Sequence, residues 1–491
     1  MPKTCVSALC FLLCSSVATA QEATPERNDP FEGLVITNDL EKDYASVLRL
    51  IEACNAENEA RVVRLARTML HLDAGFYGGI SAIGQKDENG MTLLMHAYRS
   101  SQCRDLHTVL LGSWIKQTQT DNNGMSAMHH AAYNQAHSRI VPEHDPAYDR
   151  PSEVSMGVFR DFIARGDNLN TADASGTDVL MHLMKANGRL PSVRYVIDAM
   201  SAVSDPEAHP DLSRRDVDGN SALSYAAMNA NDPRLWTFFA ERGADLSETY
   251  TGDGLTLLHL AARDNEPAVV VELLRQGFDV NTPDSLGTPP LIWAVLQNAD
   301  SQVARRLLEN GADPRATNTN GATVTHAAAL GGRDASVFAL ILDAGAPVDE
   351  RVESKSRSTP GATPARLYAK YGRDPAVWAL LSERGADLKR KSEAETPLLM
   401  EALTAKKSVT FVRAMLDAGC DVNDGFEPFK TTPLGMACRG SSPEMVDLLL
   451  DRGADPTVLS IENNNAFDYA EMNEQFRDHP VLERLRALAE R

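Results

Sequence analysis

The sequence predicts an all-α solenoid, a stack of repeated helix pairs, and three observations carry that reading. One nine-residue phrase returns along the chain at a near-constant interval. Apolar residues behind each copy recur three and four apart, the spacing of a single helix face. The composition, with 43% hydrophobic, 24% charged and only 6% aromatic residues, suits packed helices better than sheets and is not that of a disordered chain. At 491 residues the chain exceeds one ordinary compact domain, so several domains or a repeat array are the alternatives. The returning phrase decides for the array.

At the N-terminus, Lys3 is the only charge ahead of an apolar run from Cys5 to Val17, and Ala18-Thr19-Ala20 offers a small-x-small cleavage site before Gln21. This reads as a secretory leader over residues 1–20, with a buried first helix as the plain alternative. The run is too short to span a bilayer. Cys14 raises a lipid anchor, but Phe11-Leu12-Leu13 puts no small residue beside it. No later stretch approaches about 20 apolar residues. Export to a periplasm or the outside is therefore expected, without membrane insertion once the leader is gone.

Removing the leader takes one lysine and no acid, so the net charge moves from −20 to −21. So acidic a surface repels phosphate backbones and anionic headgroups. Nucleic acid is not expected as a partner; a protein is, and a basic surface is the better match. Of seven cysteines, Cys54, Cys103, Cys420 and Cys438 lie beyond the leader. They are too few for a disulfide framework, although Cys420 and Cys438 could pair in an oxidising compartment. Burial of Cys438 as a small apolar residue is the alternative.

Residues 21–41 read as a flexible segment. Over 42–86, "YASVLRLIEAC" and "ARVVRLARTMLHLDAG" carry helical apolar spacing and suggest a diverged unit closing one end. The array follows over 87–462. Its copies begin at "GMTLLMHAY" (90–98), "GMSAMHHAA" (124–132), "GTDVLMHLM" (176–184), "GNSALSYAA" (219–227) and "GLTLLHLAA" (254–262). Further on come "GTPPLIWAV" (287–295), "GATVTHAAA" (321–329) and "GATPARLYA" (361–369). "TPLLMEA" (396–402) and "TPLGMAC" (432–438) lack the leading glycine. Successive copies are 34, 52, 43, 35, 33, 34, 40, 33 and 36 residues apart. A period near 33 whose outliers are always longer means one unit with insertions, here near 134–152, 201–214 and 348–361. A degenerate copy, "NNAFDYAEM" (464–472), opens a capping unit over 463–491.

Each unit has a physical plan. The third residue of the phrase is Thr92, Ser126, Asp178, Ser221, Thr256, Thr323, Thr363, Thr396 or Thr432, with Pro289 the exception, and these side chains can hold the free amides of a first helical turn. Proline follows at 290, 364, 397 and 433, where no amide partner is lost. A second helix comes next, as in "PAVVVELLRQG" and "PEMVDLLLDRG". Gly243, Gly277, Gly311, Gly345, Gly385, Gly419 and Gly453 close these second helices with a left-handed residue. Runs of Asn, Asp, Gly and Pro then lead to the next phrase.

With this grammar in ten or eleven copies over residues 87–491, the chain resembles the ankyrin repeat family, whose consensus carries G-x-T-P-L-H-x-A-A and a G-A-D-x-N exit. The resemblance implies a curved stack of helix pairs with projecting finger loops and a concave face that grips proteins. It also implies that the phrase's histidine ties the first helix to the adjoining loop. That slot holds Met95, His129, Met181, Ser224, His259, Ile292, His326, Arg366, Leu399 and Gly435. A general base or metal ligand cannot be exchanged for Met, Ile or Gly from unit to unit, whereas a packing position can.

Other chemistry is thin. His129, His130, His137 and His144 with Asp145 cluster in or near the 134–152 insertion, but without compact zinc-ligand spacing. No phosphate-binding loop, dinucleotide fingerprint or nucleophile elbow is present. The expectation is a non-catalytic, monomeric protein-binding scaffold without metal or cofactor; a metal-dependent or enzymatic role for 129–152 is the rival. Candidate partner-binding residues are the apolar ones where fingers should meet water: Met91, Met125, Leu255 and Leu286 beside the first turn, Phe426 and Phe429 in an enlarged finger, and Tyr133 and Tyr371 after their first helices. Packing against the adjacent finger is the alternative for each. Apolar residues rimmed by acid fit the plan of an interface core and its rim.

Overall fold

The computed structural model describes residues 40–54, 59–69, 85–99, 110, 119–134, 162, 168, 170–186, 190–201, 209–250, 252–352, 361–392 and 396–489. The leader and most of the three insertions lie outside these residues. Across the described residues the chain is a succession of short helix pairs. One two-residue hairpin, Thr249–Tyr250 paired antiparallel with Leu255–Thr256, is the sheet among them.

The unit around Thr256 shows why each pair forms. Thr256 is extended, and its hydroxyl accepts from the amide of His259, capping Leu257–Asp264. A sharp loop then leads to Pro267–Arg275, where proline at the start loses no hydrogen bond. Gly277 ends that helix at φ 95°, a backbone state that side chains resist. Val269, Val270 and Leu273 are buried from the second helix, while Leu257, Leu258, Leu260, Ala261 and Ala262 bury nearly the whole first helix between its neighbours. The first helices Pro290–Gln297, Val324–Leu330, Pro364–Tyr371, Leu398–Thr404 and Pro433–Gly440 repeat the arrangement. Among the described residues each first helix packs on the next, and second helices do likewise, as Pro267–Arg275 on Ser301–Glu309 and Val377–Glu383 on Val409–Asp417, so a continuous core forms.

Aromatic residues reinforce the seam between the two layers. Tyr368 sits 5.1 Å from Phe338, 5.8 Å from Trp378 and 6.0 Å from Phe411, ring centre to ring centre. Helices Leu40–Glu52 and Glu59–Met69 pack together at one end, the first of them against Leu93–Arg99; Ala466–Glu471 and Pro480–Ala489 close the other.

Two hydrogen-bonded seams tie the units. At the finger tips, an amide of one finger donates to a carbonyl of the finger before it. Asn122 reaches Asn89, Ala174 reaches Asn123, Val217 reaches Ser175, Ser285 reaches Asp253, Thr319 reaches Leu286 and Ile461 reaches Phe429. At the opposite edge, where first helices hand over to second ones, a side chain of one unit donates to the exposed carbonyls ending the previous first helix. Asn265 Nδ2 reaches Ala227 O at 2.9 Å and Ala230 O at 3.0 Å. Asn298 reaches Ala262 O at 3.0 Å and Asn473 reaches Cys438 O at 3.0 Å. Helix-end carbonyls that would otherwise be orphaned are thereby satisfied between units.

Candidate functional site

The histidine slot is structural in the way the resemblance implies. His259 Nδ1 lies 3.1 Å from the Thr256 amide, from which it accepts, and its Nε2 meets Thr288 O of the next finger at 3.0 Å. His129 and His326 repeat this with Thr171 O at 3.0 Å and Ala362 O at 3.1 Å. The Nδ1 acceptor role leaves the proton on Nε2. A second proton would face an N–H, and burial already pushes these imidazoles below their ordinary pKa, to about 4 for His326. Where the slot holds Arg366, the guanidinium makes the same link to Thr396 O at 2.8 Å and adds Glu401 at 2.6 Å.

One layer was not anticipated. Residues 96, 130 and 182 are histidines one place beyond that slot, and each meets an aspartate nine residues earlier. His96–Asp87 is 2.9 Å, His130–Asp121 is 3.0 Å and His182–Asp173 is 2.9 Å. Tyr225–Asp216 and Trp293–Asp284 occupy the same place at 2.5 and 3.0 Å. Each aspartate's other oxygen takes two amides of the finger turn, as Asp121 does from Asn123 at 2.8 Å and Met125 at 2.9 Å. The signal was available in sequence as an aspartate three residues before the phrase's glycine. Burial, opposed by the aspartate, lowers the His130 pKa, and that of His182 to about 4. These pairs lock finger to helix.

The proposed partner-binding residues divide. Met91 and Leu255 are 2% and 4% exposed, so their expected exposure is corrected. The Tyr44 hydroxyl donates to Met91 O and the Arg99 guanidinium lies over its sulfur, while Leu255 is drawn inward by its strand pairing with Tyr250. Met125 is half-buried, and the side chain of Tyr133 lies outside the described residues. Leu286 and Tyr371 are exposed.

Phe426 and Phe429 belong to a finger shaped by a 3-10 turn, Glu427–Phe429. Their rings lie 5.4 Å apart, Phe426 half-buried and Phe429 53% exposed. The next finger places Val458, Leu459 and Ile461 in the open as well, Ile461 at 58%, and its amide donates to Phe429 O at 3.2 Å. Two neighbouring fingers thus present one apolar ridge. A cleft of about 490 Å³ is lined by Glu462 and Asn464 of the second of these fingers together with Arg439, Tyr469, Met472 and Glu474 at and beyond the helices behind it. The phrase had lost its glycine here, yet the backbone kept the turn: Lys430 and Asn463 adopt φ 47° and 63°.

Cys420 and Cys438 are free thiols, which corrects the possible bridge between them; both are buried and desolvation pushes each thiol up to about 12. Cys54 is disulfide-bonded. Of the histidine cluster, His137, His144 and Asp145 lie outside the described residues, while His129 and His130 are bonded as above. Among the described residues, no three His, Cys, Asp or Glu side chains gather as metal ligands, and no helix is long and apolar enough to cross a membrane.

Comparison with known proteins agrees with this architecture. The family model for ankyrin repeats matches in three copies, over residues 223–318 and 365–460. The human neurogenic locus notch homolog protein 1 is 30% identical over 163 residues, which is 33% of this chain and 6% of that protein. The Arabidopsis thaliana E3 ubiquitin-protein ligase KEG is 25% identical over 351 residues, 65% of this chain and 21% of the ligase. The mouse nuclear factor NF-kappa-B p105 subunit is 34% identical over 146 residues, 29% of this chain and 15% of that one. The chain thus spans less than a quarter of the length of each of these curated relatives. The solved ankyrin repeat domain of human ASB11 is 26% identical, with a TM-score of 0.39, over 47% of this chain and 96% of that one.

Proposed function

The chain is an ankyrin repeat protein, and from that premise we propose that it is a non-catalytic, monomeric scaffold which grips a partner protein in an exported compartment. Ankyrin repeats point to protein partners in general. The observation that carries the specific reading is the apolar ridge of Phe429, Val458, Leu459 and Ile461 on two fingers joined backbone to backbone. Exposed apolar surface of this kind, held in a fixed register, is what a partner can cover with little ordering cost. Phe426 and Phe429 serve as its aromatic anchors. The net charge of −20 favours a partner whose surface around that contact is basic.

Export rests on the leader pattern at 1–20 and on the Cys54 disulfide, since such bonds persist in oxidising compartments. N-terminal sequencing of the native protein should begin at Gln21; a native N-terminus at Met1 or Pro2, with the leader retained, would overturn export. For the scaffold, affinity capture with residues 21–491 is run beside a Phe426→Ala/Phe429→Ala variant. A specific protein held by the parent and lost by the variant is expected. Equal retention by both would remove the ridge from the contact. Stoichiometric zinc, lost on changing His137 and His144, would instead favour the rival reading of the 129–152 insertion.

A further inference from the structure

The edge opposite the fingers changes character along the stack. In the units before Val324–Leu330, the side chain that caps the previous first helix is the neutral Asn265 or Asn298, and in the last unit it is Asn473. In the units between, cations do this work. Arg333 Nε reaches Val295 O at 2.6 Å, and the Lys407 ammonium reaches Gly372 O. Lys370, Arg373, Lys406 and Arg439 stand exposed on the same edge, at the ends of three successive first helices.

These six cations are on one continuous surface. The Tyr368 hydroxyl donates to Arg333 O at 3.0 Å and the Ala335 amide to Asp374 at 2.9 Å, which ties the first loop to the second. Lys407 ties the second to the third, and Thr404 meets Met436 on the helix that carries Arg439. Among the described residues, none of the six has a carboxylate within salt-bridge distance, whereas Arg384, Arg452 and Arg484 of the second-helix layer are each paired. The acids in the first two loops, Asp334 and Asp374, are engaged by backbone amides at the starts of the second helices, while Glu462 and Glu474 share a cleft with Arg439 without pairing with it. Like charge also accumulates locally: Lys407 is held below the ordinary lysine pKa, by burial first and by Arg373 second. In a chain of net charge −20, composition does not account for such a stripe.

We propose that this edge, from Arg333 to Arg439, binds an acidic segment of a partner protein. The proposal rests on the scaffold reading and adds a second, cationic surface to the apolar ridge. The cations belong to four units; at about 8–10 Å between packed helices the stripe is roughly 25–30 Å long, or about nine residues of extended chain. A short run of Asp and Glu side chains matches that length, and exposed Tyr371, with the Lys370 ammonium 5.2 Å from its ring centre, offers an apolar patch within it. Nucleic acid fits less well, because the field of the rest of the molecule opposes a long polyanion as it approaches.

The test uses residues 21–491 and a fluorescent nonaglutamate peptide, with nonalysine and a nine-nucleotide single-stranded DNA beside it. Saturable binding of the glutamate peptide is expected, weakening as ionic strength is raised. A Lys370→Gln/Arg373→Gln/Arg439→Gln variant should lose it tenfold or more while melting like the parent. Arg275→Gln/Arg305→Gln/Arg413→Gln, which removes equal charge from the second-helix layer, should change it less than twofold. Absence of saturable binding, an equal loss in both triple variants, or DNA binding as tight as the peptide would overturn the proposal. If the peptide fails while the Phe426/Phe429 variant still releases its captured protein, the stripe falls and the scaffold reading stands.

Discussion

Replacing His326 with leucine, the residue at the same slot in 399, tests how the phrase's histidine acts. The parent imidazole accepts from the Thr323 amide and meets Ala362 O at 3.1 Å. Losing both leaves a buried donor and acceptor short, a cost of about 2–4 kcal/mol at pH 7. Acid alters the comparison. The folded pKa is depressed to about 4 against about 6.5 in an unfolded chain, so the histidine's stability contribution is intact above 6.5 and is lost as pH falls toward 4. Linkage over that window removes about 2 kcal/mol from the parent between pH 7 and pH 5, and nothing from leucine. The deficit of His326→Leu should therefore shrink by about 2 kcal/mol at pH 5. Urea unfolding by intrinsic fluorescence measures it, with hydrogen exchange at the Ala327 amide as the local readout, since repeat arrays can open unit by unit. A deficit unchanged within about 0.5 kcal/mol between the two pH values would refute the assignment of a neutral, buried imidazole.

Other expectations follow from the same geometry. Asp178 caps its helix as Ser or Thr does elsewhere, but burial raises its pKa to about 6; a raised carboxyl favours the fold at low pH and disfavours it as pH rises through 6, so Asp178→Thr should stabilise by up to about 3 kcal/mol at pH 7 and by little at pH 4, as thermal melts at both pH values will show. Asn265→Ala strips the seam from Ala226, Ala227 and Ala230 and should cost about 2–3 kcal/mol in urea unfolding; a loss under about 0.5 kcal/mol would mean that water satisfies those carbonyls. Cys420 and Cys438, buried with thiols near 12, should resist alkylation in the folded protein and react on unfolding, while Cys54 should react only after reduction; mass mapping of the alkylated peptides distinguishes the three.

Much of this was legible in the sequence, because the repeat writes each solution ten times over. The helix caps at Ser221, Thr256 and Thr323, and the glycines at 243, 277 and 311, could be read from residue type alone, since few side chains serve those backbone states. The histidine slot was legible through its substitutions. Met91 and Leu255 were misread because exposure depends on the neighbouring unit, which a window of one repeat does not contain. Lys430 and Asn463 hid a preserved turn behind a lost glycine; the backbone state outlasted the residue that advertises it. The cationic edge was invisible for another reason. Its members are spread over 106 positions, from Arg333 to Arg439, and are outvoted in any sum over an acidic chain, so only stacking brings them together.

The two seams share a direction. In the backbone bonds of the finger tips and the asparagine bonds of the opposite edge, the later unit donates and the earlier one accepts: Ile461 to Phe429, Thr319 to Leu286, Asn298 to Ala262, Asn473 to Cys438. A unit leaving the ribosome therefore meets acceptors already in place, and the stack can lengthen like a crystal growing on its seed. The histidine slot runs the other way, His259 Nε2 donating to Thr288 O of the next unit. Shortening from the N-terminus strands seam amides, and shortening from the C-terminus strands the slot donor of the new last unit, as His326 Nε2 would be without Ala362 O; unpaired buried donors are rare in native proteins, so either end needs a closing unit.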